Sequence, residues 1–199
     1  MLAGGASRRF GRDKVFARIG EQRMIDAAVA SLRDAERITV VLGSPERVAA
    51  VAPALPAGCA ALPDDRPGHG PLGGLATGLR LLPDGWSAVL AADLPLVPRA
   101  WWPWLAAQHD GHALAIVPRQ GDGRWEPLAA LFHGALGEQV AASVDGATGR
   151  ALGFQRWLDE LLELGLALPA DPREMPSDAL LNVNRPDDAE RVRRRLSGS

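Results

Sequence analysis

The feature that most restricts what this chain can fold into is a repeated alternation of short apolar runs with stretches of helical periodicity. Residues 38–42 form one apolar run, closed by Gly43. Residues 59–62 form a second, which enters the polar loop Pro63-Asp64-Asp65-Arg66, and residues 86–92 form a third, which stops at Asp93-Leu94-Pro95. Uninterrupted apolar runs of this length suit strands buried on both faces. Between them, Met24, Ile25, Ala28, Val29 and Leu32 recur at the spacing of one helix face, residues 46–52 read as a short helix stopped by Pro53, and residues 72–82 are again helical in period. Further on, residues 99–108, 134–142 and 154–163 read as helices and residues 112–117, 128–132 and 164–168 as strands. Residues 186–196 read as a terminal helix with Pro186 in its first turn. This order predicts an α/β fold, a mostly parallel twisted sheet with helices on both faces. With 199 residues, 47% of them hydrophobic, and no internal repeat or long linker, a single domain over 1–199 is expected.

The charge balance, 22 Lys+Arg against 24 Asp+Glu, gives the whole chain no attraction to nucleic acid or to a membrane surface. Cys59 is the sole cysteine, which excludes an intramolecular disulfide and a cysteine-based metal cluster and fits a reducing compartment. No apolar run approaches the roughly 20 residues of a membrane span. Residues 1–14 carry glycine and arginine in place of a signal-peptide core. The expectation is a soluble, cytoplasmic protein.

Ligands of such sheets bind beyond the carboxyl ends of the strands, so the residues just after each apolar run are the ones to weigh. The opening segment, residues 2–14, combines glycines that let backbone amides approach phosphate oxygens with Arg8, Arg9 and Lys14, which can neutralise them. It suits an anion cradle, and equally a flexible basic terminus. It is not a P-loop, because the sequence contains no Gly-Lys dipeptide. Gly68, Gly70 and Gly73 match the GxGxxG spacing of a dinucleotide fingerprint. That motif should start directly after a strand, however, and residues 63–67 intervene here. Asp93 stands immediately past a buried run, where a hard carboxylate suits Mg²⁺, although an aspartate there can also cap a helix. His69 reads as a loop histidine, Ser7 has no base beside it to activate it, and the cluster Arg191, Arg193, Arg194 and Arg195 reads as a solvated helix end.

Taken together, these segments resemble a known family. Residues 2–14 are similar to the LAGGxSxRMGxDK signature of molybdenum cofactor guanylyltransferases. Residues 64–75 resemble the family's DxxPGxGPLxGL segment, residues 125–131 its xxPLxAL strand, Ala92-Asp93-Leu94-Pro95 its DxP metal motif, and residues 182–188 its NVNTPED ending. The resemblance implies a Rossmann-like nucleotidyltransferase fold. It also implies a reaction in which GMP passes from GTP to the phosphate of the molybdopterin cofactor with Mg²⁺ bound. By position, Leu2, Ala3, Gly4 and Gly5 would meet GTP through their backbone, Lys14 would grip phosphate, Arg9 would organise the triphosphate, Asp64 would contribute to nucleotide binding and Asp93 would hold Mg²⁺. Gly70, Gly74, Asn182 and Asn184 fall at positions associated with nucleotide or cofactor. Molybdoenzymes or delivery chaperones would be the protein partners.

The chain departs from the family pattern in three places. A buried strand should precede Leu2, and only Met1 does, so the first strand of the sheet is expected to be truncated, or the natural start to lie upstream. Phe10 replaces a usual Met, and Arg185 a usual Thr. Two other functions fit the same residues: a cytidylyltransferase or relative with another acceptor, and a non-catalytic adaptor that only binds molybdenum cofactor.

Overall fold

The computed structural model describes residues 1–4, 16–146, 153–184 and 186–197. A short hairpin of β1 (Arg18–Ile19) and β2 (Gln22–Arg23) turns at Gly20, whose φ of 69° favours glycine, and leads straight into α1 (Met24–Ser31). There follow β3 (Ile38–Leu42), α2 (Pro45–Val51), β4 (Cys59–Pro63), α3 (Gly70–Leu79), β5 (Trp86–Leu90), α4 (Trp101–Ala106), β6 (Ala115–Pro118) and β7 (Ala129–His133). The last elements are α5 (Gly137–Asp145), α6 (Phe154–Glu163), β8 (Ala167–Ala170) and α7 (Pro186–Ser197).

β3 pairs with β4 in parallel, and a second ladder runs β5-β7-β6-β8, in which only β7 is antiparallel to its neighbours. Met1–Ala3 joins the two. Leu2 bridges in parallel to Val41 on one side and to Ala91 on the other. Its amide donates to the Leu90 carbonyl at 2.8 Å, and its carbonyl accepts from Ala92 at 3.1 Å. Toward β3, the Met1 carbonyl accepts from Val41 at 2.9 Å and the Ala3 amide donates to the Val41 carbonyl at 3.0 Å. The result is one mostly parallel sheet with Met1–Ala3 between β3 and β5, the layout that the order of the elements led one to expect.

Period-two alternation along the strands sorts side chains into two cores. Leu90, Ile116, Ala129 and Leu131 face α1 and α4, whereas Val89, Ala115, Val117, Ala130 and Phe132 face α3, α5 and α6. Helices therefore cover both faces, the arrangement expected for buried parallel strands. A third, small cluster of Ile19, Met24, Ala27, Val183 and Val192 ties the hairpin and α1 to α7.

Several boundaries differ from those read in the sequence, each for a local reason. α3 starts two residues early because Pro71 is placed in its first turn. β6 starts at Ala115, since the Asp110 carboxylate accepts from the amides of His112 and Ala113 and holds them in a turn. β8 starts at Ala167, because Leu164 still caps α6 and is exposed. The stretch from 134 opens as a 3₁₀ turn, Gly134–Leu136, before α5 begins.

Below the stub lies a cavity of about 480 Å³, lined by Met1, Ile38, Thr39, Trp86, Ser87 and Ala88 among others. Leu81, Leu82 and Trp86, at its edge, are three of the large apolar side chains that remain exposed. The Met1 main-chain nitrogen stands at its inner end and donates to the Thr39 carbonyl at 2.6 Å.

Candidate active site

The stub, β3, β4 and β5 all end at one edge of the sheet, and this edge gathers the candidate residues. At the end of the stub, Gly4 passes beside Gly43, so close that a Cβ on Gly43 would stand 3.2 Å from the Gly4 carbonyl oxygen. Arg47, on α2, donates to the Ala3 carbonyl at 3.1 Å. α2 is itself placed by Ser44, whose hydroxyl accepts from the Arg47 amide, and by Pro45 in its first turn. Leu2 projects under α3, where Gly74 leaves room for it: a Cβ there would stand 3.2 Å from the Leu2 Cδ2.

Asp64 follows β4, and its amide donates to the Leu42 carbonyl at 2.5 Å, one last step of the β3–β4 ladder. Its Oδ1 accepts from the Arg66 amide and from the Thr77 hydroxyl, both at 2.9 Å. That hydroxyl also accepts from the Asp65 amide at 3.0 Å, so the buried Thr77 fastens the whole turn to α3. Arg66 then reaches α5 and pairs with both oxygens of Asp145 at 2.9 Å, which pulls the carboxyl of Asp145 below its usual range. α3 must approach this turn closely, since a Cβ on Gly73 would meet the Arg66 carbonyl oxygen at 2.7 Å. Gly70 takes a φ of +65° at the first position of α3. The GxGxxG spacing thus serves a turn and a helix contact, and no strand runs directly into it.

Asp93 follows β5 in a turn closed by Leu94 donating to the Ala91 carbonyl at 3.2 Å. It caps no helix, because α4 does not begin until Trp101, preceded by Ala100. The segment before α7 crosses over it. Val183, fully buried, donates its amide to the Asp93 carbonyl at 3.0 Å, and the Asn182 side-chain amide lies against the carboxylate, with its nitrogen 3.0 and 2.9 Å from the two oxygens when the amide is oriented to satisfy its hydrogen bonds. Asn184 is exposed, and its amide donates to Asp188 in the first turn of α7 at 3.0 Å. Among the described residues no three His, Cys, Asp or Glu side chains cluster as a metal site. Gly5, Arg9 and Lys14, and with them Arg8 and Arg185, lie outside the described residues.

Two contributors were not legible beforehand. Thr77 sits mid-helix in a run of small and apolar residues and has no motif of its own. The β1–β2 hairpin, whose Ile19 packs with Val183, is two residues per strand and too short for a periodic signal.

Residues 1–164 match the family described as the MobA-like NTP transferase domain. A protein of Chloroflexus aggregans called probable molybdenum cofactor guanylyltransferase is 35% identical, over 96% of this chain and 91% of its own length. One of the same name from Deinococcus radiodurans is 34% identical, over 94% and 89%. Among solved structures, molybdopterin-guanine dinucleotide biosynthesis protein A of Archaeoglobus fulgidus superposes with a TM-score of 0.79 at 19% identity, covering 100% of this chain and 97% of its own. The 2-C-methyl-D-erythritol 4-phosphate cytidylyltransferase of Thermus thermophilus superposes with a TM-score of 0.66 at 19% identity, covering 98% and 96%. At that level of identity the two structures speak for the fold alone. On the match of its first 164 residues and on these near full-length relatives, the chain belongs to the MobA-like NTP transferase family.

Proposed function

We propose that this protein transfers GMP from GTP to the terminal phosphate of the molybdenum cofactor, forming its guanine dinucleotide and releasing pyrophosphate, with residues 1–199 acting as one domain. The observation that carries this reading is the convergence, at one sheet edge, of the glycine-led end of the stub with Asp64 and Asp93. The relatives that share nearly the full length of the chain bear the name of this activity. No helix among the described residues is long and apolar enough to cross a membrane, in keeping with a cytoplasmic enzyme acting on small phosphorylated substrates.

In this reading the backbone of Leu2, Ala3, Gly4 and Gly5 lies along the nucleotide, and Asp64, held by Thr77, meets it from the neighbouring strand end. Arg9 and Lys14 balance the triphosphate charge, and Lys14 is the sole lysine of the chain. Gly70, Gly74 and Asn184 border the nucleotide and cofactor. The Asp93 carboxylate is a hard oxygen donor of the kind that suits a divalent cation, here Mg²⁺, which when bound would neutralise phosphate charge. The chain's own work is positional: it aligns an oxygen of the cofactor phosphate with the α-phosphorus of GTP. The new P–O bond forms as the bond from the α-phosphorus to the bridging oxygen breaks, and that electron pair leaves with pyrophosphate. No covalent enzyme intermediate is required. Molybdoenzymes or their delivery chaperones would receive the product.

The fold shared with a cytidylyltransferase makes CTP the competing substrate. Pyrophosphate release with Mg²⁺ and molybdopterin-type cofactor should be faster with GTP than with CTP, and a preference for CTP would reassign the nucleotide. Asp93→Asn should lower kcat about 100–1,000-fold. An Asp93→Asn protein that still supports molybdoenzyme maturation would point to the adaptor role instead. Thr77→Val should cost about 1–2 kcal/mol in a denaturant melt by removing a buried hydroxyl from three polar neighbours. It should also raise the KM for GTP several-fold while kcat stays within about twofold, since Asp64 loses its support and Asp93 does not.

A further inference from the structure

The contact between Asn182 and Asp93 has a chemical sense that position in a motif does not convey. With its amide oxygen inward, Asn182 would bring a third acceptor within 3.0 Å of two carboxylate oxygens. With its nitrogen inward, the same two contacts become hydrogen bonds of 3.0 and 2.9 Å. Hydrogen-bond satisfaction therefore assigns the nitrogen to the Asp93 side. A carboxylate turns easily about its last torsion, which is broad and two-fold. One NH₂ group reaching both oxygens sets the plane in which they lie.

Asn182 is well placed to do this although it is itself exposed. Its neighbour Val183 is buried among Ile19, Met24, Ala27 and Val192, and donates to the Asp93 main-chain carbonyl at 3.0 Å. The segment thus grips Asp93 twice, once by its backbone and once by its side chain, from an anchor in a separate small core.

We propose that Asn182 is a positioning residue whose side-chain amide holds the Asp93 carboxylate in its working orientation, rather than a contact to nucleotide or cofactor. This rests on the reading of Asp93 as the carboxylate that holds the divalent cation. Partners that orient a ligating group are commonly worth about 10–100-fold in metal affinity or activity.

The test has two arms. In a ¹H–¹⁵N spectrum of the metal-free protein, the Asn182 side-chain pair, assigned by its loss in Asn182→Ala, should lie away from the free-amide region. It should return there in Asp93→Ala and stay displaced when Mg²⁺ is added. In the transfer assay, Asn182→Ala should lower kcat about 10–100-fold with the KM for GTP within about twofold and Tm within two degrees. A pair that ignores Asp93→Ala, or that moves to the free-amide position on adding Mg²⁺ because its oxygen has turned to the cation, would overturn the proposal. So would an Asn182→Ala protein whose defect is in KM alone. The spectral arm needs no turnover, so a fully active Asp93→Asn protein would refute the role given to Asp93 while leaving the amide contact to be judged separately.

Discussion

The interaction on which the rest of the sheet depends is the ladder that Met1–Ala3 makes between β3 and β5. Without it the main sheet falls into two pieces, β3-β4 and β5-β7-β6-β8, because β3 and β5 do not pair with each other. Hydrogen bonds from both sides reach the stub, and each is worth about 1 kcal/mol net in a buried setting. Leu2 adds packing of its own, seated against Gly74 of α3. A short segment thereby fixes where the ends of β3 and β5 stand relative to each other, and so the places of Asp64 and Asp93 at that edge.

Asp64 is held from α3 and Asp93 from the segment ahead of α7. Two carboxylates held by different elements, on different strands, can be tuned or lost independently, which suits a site that must handle a nucleotide and an acceptor at once.

Much of the fold was legible because buried strands announce themselves. The runs that became β3, β4 and β5 and the helical spacing of α1 and α6 came through nearly at their true bounds, and the parallel α/β layout followed from their order. Boundaries slipped where side chains rather than periodicity decide them, as at Asp110, which keeps His112 and Ala113 out of β6. Asp93 could be singled out because it stands directly past a buried apolar run, and Asp64 only through the motif it belongs to. Thr77 and Val183 could not, since their importance arises only when distant elements meet. Asn182 was recognisable as a site residue through its motif, but its partner was not, because only the folded chain brings residue 182 to residue 93.

The central claim, that the stub is the stitch on which the sheet and its site depend, is tested most directly by native-state amide hydrogen exchange. The amides of Leu2, Ala3, Val41 and Ala92 should exchange as slowly as those in the middle of β7, all opening only with global unfolding. Fast exchange at these four positions, with β7 still protected, would show two independently stable sheets and contradict the account.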